Sequence, residues 1–512
     1  MNNRNLSAVY SKYSFQIFVA IILLIATAIR IYYLDKKEGL FLDEVYSVVL
    51  SEYNDFGWTK TLDPGTYSGA EIKSIILSTD PSLKDAVSDI ALLWKDNRDA
   101  PHTNFYYTLL RISLVGYEYT SLGGLIVRAG ILNLIIFIIT FFCFLQLLKR
   151  IFKDNRIILL ALFVAFINVG GVSMSVLFRP YLLQILFFVI ATSMVISIYS
   201  DIKNNCYEKS WQNFIKFAIV ISLLLLTGYY AFIYVSLLGV LVLYALIRYN
   251  QIRDKIPFFL IAIIVAILLD FICYPSFHKF LEDSHATSAL ANHGNSLLKS
   301  VLSSAWMTAA FIKYNLLNVI SAIVLLVTIC IALCQESKFV SLKKYIIYVI
   351  LAVIFSAVIL FLARYKDFRY MSPVLPILSL IIPLVFDGIK RGVIRTAAMI
   401  FICVAMSTSV LREYNIGYLY NDDNAKLIVT ENVDKPVYVY YQKNYSLGFV
   451  LTSLSDEQTY VVCSSIEDLK SQVDDKDCYV FLGHTIGDKE MIPEWDSSLL
   501  QTTSAYSIYQ LN

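Results

Sequence analysis

Charged residues are scarce in this chain. They make up 16% of its 512 residues, whereas soluble domains carry about 25%. Hydrophobic residues make up 57%, and the mean hydropathy is +0.63. A run of about 20 apolar residues spans a bilayer as a helix, and the chain contains many such runs. These features exclude a soluble globular protein and predict a polytopic α-helical membrane protein.

Signatures of nucleic-acid, nucleotide and metal binding are also missing. The net charge is only +2 and the sequence has no long Lys/Arg run, so we expect no nucleic-acid partner. It also has no glycine-rich nucleotide loop and no internal repeat. The eight cysteines lack metal-site spacing, and His278, His285 and His293 are too loosely spaced for a zinc motif. We therefore expect no metal and no other cofactor.

Eleven apolar segments are candidate membrane spans. They lie at 14–34, 122–148, 157–176, 181–199, 215–230, 231–247, 257–274, 314–334, 345–363, 370–387 and 395–411. With the N-terminus inside, the Lys/Arg-rich loops fall on the inner side, as the positive-inside rule requires. The region 215–247 is divided in two because a single span there would place the next basic loops outside.

This topology places three long segments outside the membrane. They are the first loop at 35–120, a loop at 275–313 and the C-terminal region at 412–512. The sequence therefore predicts a transmembrane module over 1–411 and a separate extracytoplasmic domain over 412–512.

The C-terminal region has the pattern of a small α/β domain. Runs of β-branched and aromatic residues at 437–440, 460–462 and 478–482 predict strands. Ser464 and Glu467 have the spacing of a capping box and predict the start of a helix. Cys463 and Cys478 lie in the same region, so a disulfide between them is one option in an oxidising compartment.

Asp43 and Glu44 form an adjacent carboxylate pair just beyond the first span, where the long outer loop begins. A carboxylate in that place is suited to act as a general base at the membrane surface. Because neighbouring side chains diverge, we expect one to enter a site and the other to orient it or to contact the acceptor. The alternative is a polar helix start that follows a span.

Three cations, Arg364, Lys366 and Arg369, crowd the short outer loop before the tenth span. Outer cations oppose the positive-inside rule. We therefore expect them to be exposed and to bind an anionic ligand such as a lipid phosphate, with arginine making bidentate contacts. The alternatives are general contact with anionic lipid, or contact with acidic residues of the first loop.

Four further charges lie inside or between the predicted spans. Arg30, Arg128 and Asp270 are inside spans, and Arg179 lies between the third and fourth. Intramembrane charges are functional candidates by default. On this topology all four lie near the outer ends of helices, whereas a transporter is expected to hold its charges near the midplane. Snorkelling is the alternative for Arg30 and Arg128.

The order of these elements over about residues 14–411 resembles the C-type glycosyltransferases (GT-C superfold). The resemblance is to the branch of protein O-mannosyltransferases and aminoarabinose transferases. Residues 42–44 are similar to that family's first-loop Asp-Glu element. Residues 99–107 resemble its Asp/His-Pro-Pro-Leu-Tyr-Tyr element, although Thr and Asn replace the two prolines. Later elements of the family (Arg-Pro/Met-Tyr-x-Leu, Thr-His-Tyr and Arg-Tyr followed by Pro-x-x-Pro) are similar to residues 178–183, 227–230 and 368–376.

The resemblance implies a membrane enzyme that moves a sugar from a polyprenyl-phosphate-linked donor to an extracytoplasmic acceptor, with inversion and without a metal. It implies the outer face of a bacterial inner membrane as the place of reaction. Asp43 would be the base, and Glu44 would orient it or contact the acceptor. The candidate donor-phosphate ligands are Arg364, Lys366 and Arg369, assisted by Arg179 and Arg128. The candidate acceptor or sugar contacts are Asp99, His102, Tyr106, Tyr107 and Tyr181.

Two other classes stay open at this point. A transporter or flippase of a lipid-linked saccharide would also need many spans, but the missing repeats and the charges at the outer helix ends disfavour it. An O-antigen-type polymerase or ligase is expected to carry its large catalytic loop late in the chain rather than after the first span.

Reporter fusions after residues 155, 253 and 420 will test the topology. We expect cytoplasmic signals at the first two positions and an extracytoplasmic signal at the third, because the Lys/Arg-rich loops otherwise face the wrong side. A cytoplasmic signal at position 420 would contradict both the odd number of spans and an outer-face site.

Overall fold

The computed structural model describes residues 3–53, 60–96, 103–275, 297–334, 339–363, 366–390, 392–419, 435–441, 444–451, 453–473, 477–483, 497–502 and 506–511. Most of them are helical. The helices are α1 (Asn3–Asp35), α2 (Leu42–Ser51), α3 (Gly69–Leu77), α4 (Leu83–Lys95), α5 (Asn104–Ser113), α6 (Leu122–Ile151), α7 (Asn155–Phe166), α8 (Val169–Val176), α9 (Tyr181–Lys203), α10 (Trp211–Leu225), α11 (Ala231–Arg248), α12 (Ile252–Cys273), α13 (Leu297–Phe311), α14 (Val319–Cys334), α15 (Val340–Leu362), α16 (Leu375–Ser379), α17 (Ile381–Gly388), α18 (Val393–Val410), α19 (Asn444–Leu451) and α20 (Ile466–Val473). A π-helix (Ile312–Leu316) follows α13, and 3₁₀-helices cover Phe368–Val374 and Glu413–Asn415.

Within the described residues, eight helical segments are long and apolar enough to cross a membrane. They are Tyr13–Asp35, α6, α9, α11, α12, α15, Phe368–Gly388 and α18. Two bent pairs bring the number to ten: α7 with α8, at 52°, and Lys299–Leu316 with α14, at 101°. Each predicted span coincides with one of these or with the shorter apolar helix α10. The predicted polytopic helical membrane fold is confirmed.

The predicted division of 215–247 into two helices is also confirmed. The connection between α10 and α11 contains Gly228, whose φ of +148° lies in the region that favours glycine. A Cβ at this position would lie 2.4 Å from Gln184 Nε2. The same Nε2 donates to the carbonyl oxygen of Thr227 at 2.7 Å, which fixes the turn to α9.

The break between α7 and α8 leaves backbone groups without helical partners, and polar side chains satisfy them. Asn168 caps α8, because its Oδ1 accepts from Gly171 N at 2.7 Å. The Arg30 guanidinium donates to Phe166 O at 3.1 Å and to Gly171 O at 3.4 Å, and it lies 3.8 Å from the centre of the Phe137 ring. Arg30 is 1% exposed, so it points into the bundle rather than snorkelling. Its contacts meet the requirement that backbone groups at membrane depth be hydrogen-bonded.

The first loop folds into the helices α2 to α5 and one strand. Ser82 Oγ accepts from Asp85 N at 3.1 Å and caps α4. Arg111 Nε on α5 lies 2.6 Å from Asp89 Oδ2 on α4, and α5 packs against α2. The loop is therefore a packed layer over one end of the bundle.

A six-stranded mixed sheet joins the first loop to the C-terminal region. Its strands are β1 (Gly65–Ser68), β2 (Val437–Tyr441), β3 (Thr459–Cys463), β4 (Cys478–Gly483), β5 (Ser497–Thr502) and β6 (Tyr506–Leu511), in the order β1-β3-β2-β4-β6-β5. The central pairs β3–β2 and β2–β4 are parallel, and the other pairs are antiparallel. The three predicted strands are confirmed as β2, β3 and β4. The edge strand β1 comes from the first loop, so the sheet includes residues on both sides of the predicted boundary at 412.

Two details of the C-terminal region differ from the sequence-based expectation. The helix cap lies one residue later than predicted, because Ser465 Oγ accepts from Asp468 N at 3.0 Å and Asp468 accepts from Ser464 N at 2.8 Å. Cys463 and Cys478 lie on β3 and β4, which β2 separates. Two strand spacings of about 4.8 Å exceed the Cα separation that a disulfide allows, so these cysteines do not pair.

Gly69 packs against the backbone of the C-terminal region. Its N–H donates to Gln458 O at 2.9 Å, and a Cβ added to it would lie 2.0 Å from Ser455 O. We expect Gly69→Ala to lower the unfolding temperature in detergent, at a cost of about 1–3 kcal/mol, because backbone must move. Gly123→Ala is the matched control, since its nearest neighbour is 4.0 Å away. Equal unfolding temperatures for the two variants would contradict this packing.

Candidate active site

The two neighbouring carboxylates at the start of α2 point in different directions. Phe41 is the extended N-cap residue, and Asp43 and Glu44 follow in the first turn, where negative charge is favourable. Glu44 is 0% exposed, whereas the Asp43 side chain is 21% exposed. Adjacent helical residues do not share a face, so only Asp43 reaches the open side.

Glu44 is the centre of a buried network. Lys37 Nζ lies 2.9 Å from its Oε2, and the Phe41 N–H donates to the same oxygen at 2.6 Å. The Phe178 N–H donates to Oε1 at 2.8 Å. Lys37 Nζ also donates to the carbonyl oxygen of Tyr418. Both oxygens of Glu44 are therefore engaged, which favours the orienting role over contact with an acceptor.

Burial has the largest influence on this ion pair. It raises the pKa of the Glu44 carboxyl and lowers the pKa of the Lys37 ammonium. The attraction between the two groups opposes both pKa shifts. The backbone N–H groups of Phe41 and Phe178 also oppose the rise in the pKa of Glu44. Each group thus offsets part of the cost of burying the other, so the pair acts as a structural unit.

Asp43 meets a cation from the other half of the chain. Arg369 Nη1 lies 2.5 Å from Asp43 Oδ2, and Arg369 Nε lies 3.2 Å from Asp367 Oδ2. Asp367 also caps the 3₁₀-helix by accepting from Arg369 N at 3.0 Å. Arg369 was expected to be exposed, but it is 9% exposed, because the first loop folds over it.

The Arg369 guanidinium retains buried donors that lack hydrogen bonds. Its Nε and Nη1 lie within ion-pair distance of the two carboxylates, but neither makes a hydrogen bond within the described part of the chain. The Tyr181 hydroxyl, also buried, has no hydrogen-bond partner among those residues either. A buried donor without an acceptor is rare, so the Tyr181 hydroxyl, beside a guanidinium paired with two carboxylates, indicates a place for an anionic or hydroxyl-bearing ligand.

Aromatic rings enclose this guanidinium. Arg369 Cζ lies 5.2 Å from the ring centre of Phe41, 5.2 Å from that of Tyr370 and 6.0 Å from that of Tyr181. Tyr230 packs edge-on against Tyr370 at 5.5 Å. These rings lower the local polarity and stabilise the cation. The polar side of the site is the side of the guanidinium that faces Asp43.

Arg179 hydrogen-bonds to the helix that carries Asp43. It is 3% exposed, and its Nη1 donates to the Asp43 carbonyl oxygen at 3.2 Å, to Ser47 Oγ at 3.2 Å and to Tyr107 OH at 3.0 Å. These bonds hold the first turn of α2 against α5 and α9. In this structure Arg179 contacts the backbone of Asp43 and not its carboxylate.

The predicted site residues separate into three groups. The fold brings Asp43, Arg369, Arg179, Tyr107 and Tyr181 together. Tyr106 is buried near them, with its hydroxyl donating to Asn133 Oδ1 at 3.1 Å. Arg128 is exposed on α6, 5.7 Å from the ring centre of Tyr117, and Lys366 is exposed. Arg364, Asp99 and His102 lie outside the described residues.

Sequence reasoning missed Lys37, Asp367 and Tyr370 as parts of the site. Asp367 sits among the three predicted phosphate ligands, so an acidic residue within a basic loop was an available signal. Lys37 had none, because seven residues and a turn separate it from Glu44. No cluster of three or more potential metal ligands occurs in the described portion of the chain.

Comparison with known proteins identifies the fold. No family model matches the sequence, and no curated protein is significantly similar to it. ArnT from Cupriavidus metallidurans bound to undecaprenyl phosphate superposes with a TM-score of 0.54 at 10% identity, over 96% of this chain and 98% of that chain. Its apo state gives 0.50 at 11% identity, over 96% and 97%. ArnT, the aminoarabinose transferase, is a GT-C glycosyltransferase.

The chain has the GT-C fold. An oligosaccharyltransferase from Archaeoglobus fulgidus gives a TM-score of 0.45 at 10% identity, over 91% of this chain and 69% of that chain. In the GT-C fold of this protein, Asp43 belongs to the first loop, Tyr181 begins α9, and Arg369 is the second residue of the span Phe368–Gly388. The candidate site therefore lies where two spans end beneath the first loop.

Glu44→Gln will test the structural role of the buried pair. The substitution replaces one carboxylate oxygen of Glu44 by an NH₂ group, which cannot accept a hydrogen bond from the N–H groups that face it. It also leaves the Lys37 charge without a carboxylate partner. We expect a loss of about 3–5 kcal/mol, the usual cost of breaking a buried ion pair, measured as a lower unfolding temperature. Lys37→Met combined with Glu44→Gln should recover part of that loss. A Glu44→Gln variant of full stability that has lost activity would assign Glu44 to the chemistry instead.

Proposed function

We propose that this protein is a membrane glycosyltransferase that moves a sugar from a polyprenyl-phosphate-linked donor to an extracytoplasmic acceptor, with inversion at the anomeric carbon. One observation carries the proposal. On a GT-C fold, a partly exposed carboxylate, Asp43, lies 2.5 Å from the guanidinium of Arg369, and the buried hydroxyl of Tyr181 near them has no hydrogen-bond partner in the described structure. A base and an anion ligand are thus side by side.

Arg369 is the proposed ligand of the donor phosphate. Guanidinium groups bind phosphate through paired N–H donors, and Arg369 Nε and Nη1 are buried donors of this kind. The Tyr181 hydroxyl, 3% exposed, would supply another donor to the same phosphate or to the sugar. Arg179 is assigned a supporting role, because it hydrogen-bonds to the backbone of Asp43. Lys366 and Arg364 are left as contacts for an approaching lipid headgroup.

Asp43 is the proposed general base. Its carboxylate takes the proton from an acceptor hydroxyl or amine while that atom forms a bond to the anomeric carbon. The bond between the anomeric carbon and the phosphate oxygen breaks, and the lipid phosphate leaves with the electron pair. Arg369 stabilises the charge that develops on the leaving group. A single displacement of this kind inverts the anomeric centre.

The ion pair between Asp43 and Arg369 links the two substrates. While Arg369 contacts Asp43, the carboxylate is partly neutralised and its side facing Arg369 is closed to an acceptor. A donor phosphate would compete for the guanidinium and so release the carboxylate. The proposal therefore favours donor binding before proton transfer, which keeps the base inactive until a sugar is present.

The arrangement of charge disfavours a transporter or flippase. The charges of the candidate site lie at helix ends beneath the first loop, whereas transporters place binding sites near the bilayer midplane. A polymerase or ligase of the O-antigen type would also use a lipid-linked saccharide, and the position of Asp43 in the first loop disfavours it. The proposed location is the extracytoplasmic face of a bacterial plasma membrane, with residues 412–512 forming the outer domain.

Asp43→Asn will test the base. The substitution keeps the size of the side chain and removes the carboxylate, so transfer should fall by ~10²–10⁴-fold, the usual worth of a positioned base. Unfolding temperature and donor binding should be retained. Asp63→Asn, on an exposed residue of the same loop, is the matched control and should keep full activity. An Asp43→Asn variant with wild-type turnover would refute the assignment.

Arg369→Ala will test the phosphate ligand. We expect donor affinity to fall roughly 10- to 100-fold, because one or two charge-assisted hydrogen bonds are lost. The KM for donor should rise more than kcat falls, since the phosphate is held in the ground and transition states alike. Arg369→Lys should restore only part of the affinity, because a point charge cannot bind in bidentate fashion. Donor titration in nanodiscs measures both.

Arg156→Ala removes an exposed arginine in the first turn of α7 and is the control for loss of one positive charge. Its donor affinity should equal that of the wild type. Unchanged affinity in the Arg369→Ala variant would move the phosphate site, with Arg179 and Arg128 the next candidates.

A further inference from the structure

A polar cavity of about 200 Å³ opens at the sharp bend between Lys299–Leu316 and α14. Its volume is below the ~300–1,000 Å³ of pockets that hold drug-sized ligands, so it suits a single headgroup rather than a saccharide chain. The residues that give it polarity are Lys313, Asn315, Asn318, Ser409, Arg412 and Asn415. None of the described residues that line it is acidic.

The cavity lies at the same end of the bundle as Asp43 but is built from other residues. Tyr33 OH, near the end of α1, donates to Val410 O at the end of α18 at 2.5 Å, and Arg412 follows directly. Lys37 and α2 come just after α1 in the chain. Both sites therefore face the same leaflet, while no residue of the Asp43–Arg369 site lines this cavity.

Exposed aromatic side chains place the two cations of the cavity at the membrane interface. Tyr314 is 60% exposed and Tyr414 is 78% exposed, as is usual for the aromatic belt at the headgroup level. Lys313 Nζ lies 4.9 Å from the centre of the Tyr314 ring, and Arg412 Nη1 donates to Tyr414 OH at 3.1 Å. The two cations thus lie beside exposed tyrosines, the residue type that is enriched at the headgroup level of a membrane.

The polar groups around the cations are arranged as hydrogen-bond donors. Asn315 Nδ2 donates to Phe311 O at 3.2 Å, and Asn415 Nδ2 donates to Ser409 O at 2.8 Å. Each amide uses one N–H in these bonds and has a second N–H that can donate to a ligand. The first residue of α14, Val319, also lines the cavity, and the N-terminal end of a helix favours an anion.

We propose that this cavity binds the phosphate headgroup of an anionic phospholipid in the leaflet that the active site faces. Two cations, spare amide donors and a helix N-terminus converge on a headgroup-sized space among residues that carry no acid. The ligand chemistry is an anionic phosphate group, and its two sources are a membrane lipid or free phosphate. The site is separate from the donor site and does not depend on the proposed transferase activity.

Native mass spectrometry of the full-length protein in a neutral detergent will test the site, with phosphatidylglycerol and phosphatidylcholine as probes. The wild type should bind phosphatidylglycerol more tightly than phosphatidylcholine. Lys313→Ala combined with Arg412→Ala should weaken phosphatidylglycerol binding about 10- to 100-fold, because two charge-assisted contacts are lost. Inorganic phosphate should not displace the lipid, since the acyl chains add apolar contact.

Two control variants keep the test specific. Lys343→Ala combined with Lys344→Ala removes the same charge from exposed positions at the start of α15 and should bind phosphatidylglycerol as the wild type does. Asp43→Asn should also keep lipid binding, so failure of sugar transfer and failure of this site are distinguishable.

Three results would overturn the proposal. The first is wild-type phosphatidylglycerol affinity in a correctly folded Lys313→Ala/Arg412→Ala variant, judged by its unfolding temperature. The second is equal affinity of the wild type for the two lipids. The third is displacement of the lipid by inorganic phosphate, which would assign the cavity to the free anion.

Discussion

The candidate site depends on the buried ion pair between Lys37 and Glu44. This pair joins the turn between α1 and α2 to two segments that are distant in the sequence, Phe178 before α9 and Tyr418 beyond α18. A buried pair is tolerated when its hydrogen bonds are complete, and it is costly when one partner is removed. Because Glu44 is fixed in this way, its neighbour Asp43 must emerge on the opposite side of the helix, toward Arg369.

Three buried arginines of this protein have different roles, which their hydrogen-bond and ion-pair partners distinguish. Arg30 gives its donors to Ser175 and to carbonyl oxygens, among them those at the break between α7 and α8, so it completes the backbone of a broken span. Arg179 binds the Asp43 carbonyl and two hydroxyl groups, so it positions α2. Arg369 differs from both, because its Nη1 and Nε contact the carboxylates of Asp43 and Asp367. The partners of these three arginines, rather than their burial, distinguish their roles.

Hydropathy and charge placed the spans correctly because both are local properties of the sequence. Three features could not be read in that way. The sequence does not reveal which carboxylate of 43 and 44 is buried, since the answer depends on Lys37 across a turn. Arg369 lies in a short polar loop and was expected to be exposed, but Phe41 and Tyr181 cover it from distant parts of the chain. The strand β1 has only four residues, Gly65–Ser68, and an edge position, so its pairing with β3 is a tertiary effect.

The contribution of β1 to the sheet has a consequence for biosynthesis. Ribosomes add ~5–20 residues per second, so β1 is made roughly 20–80 s before its partner β3, about 400 residues later. During that time β1, in the first loop, has no strand partner. Gly448 on α19 would bring a Cβ within 3.0 Å of Leu42 on α2, so the last part of the chain also covers the helix that carries Asp43. The first-loop layer is therefore complete only after the spans between β1 and β2 have been made, which delays assembly of the site until the C-terminal strands are synthesised.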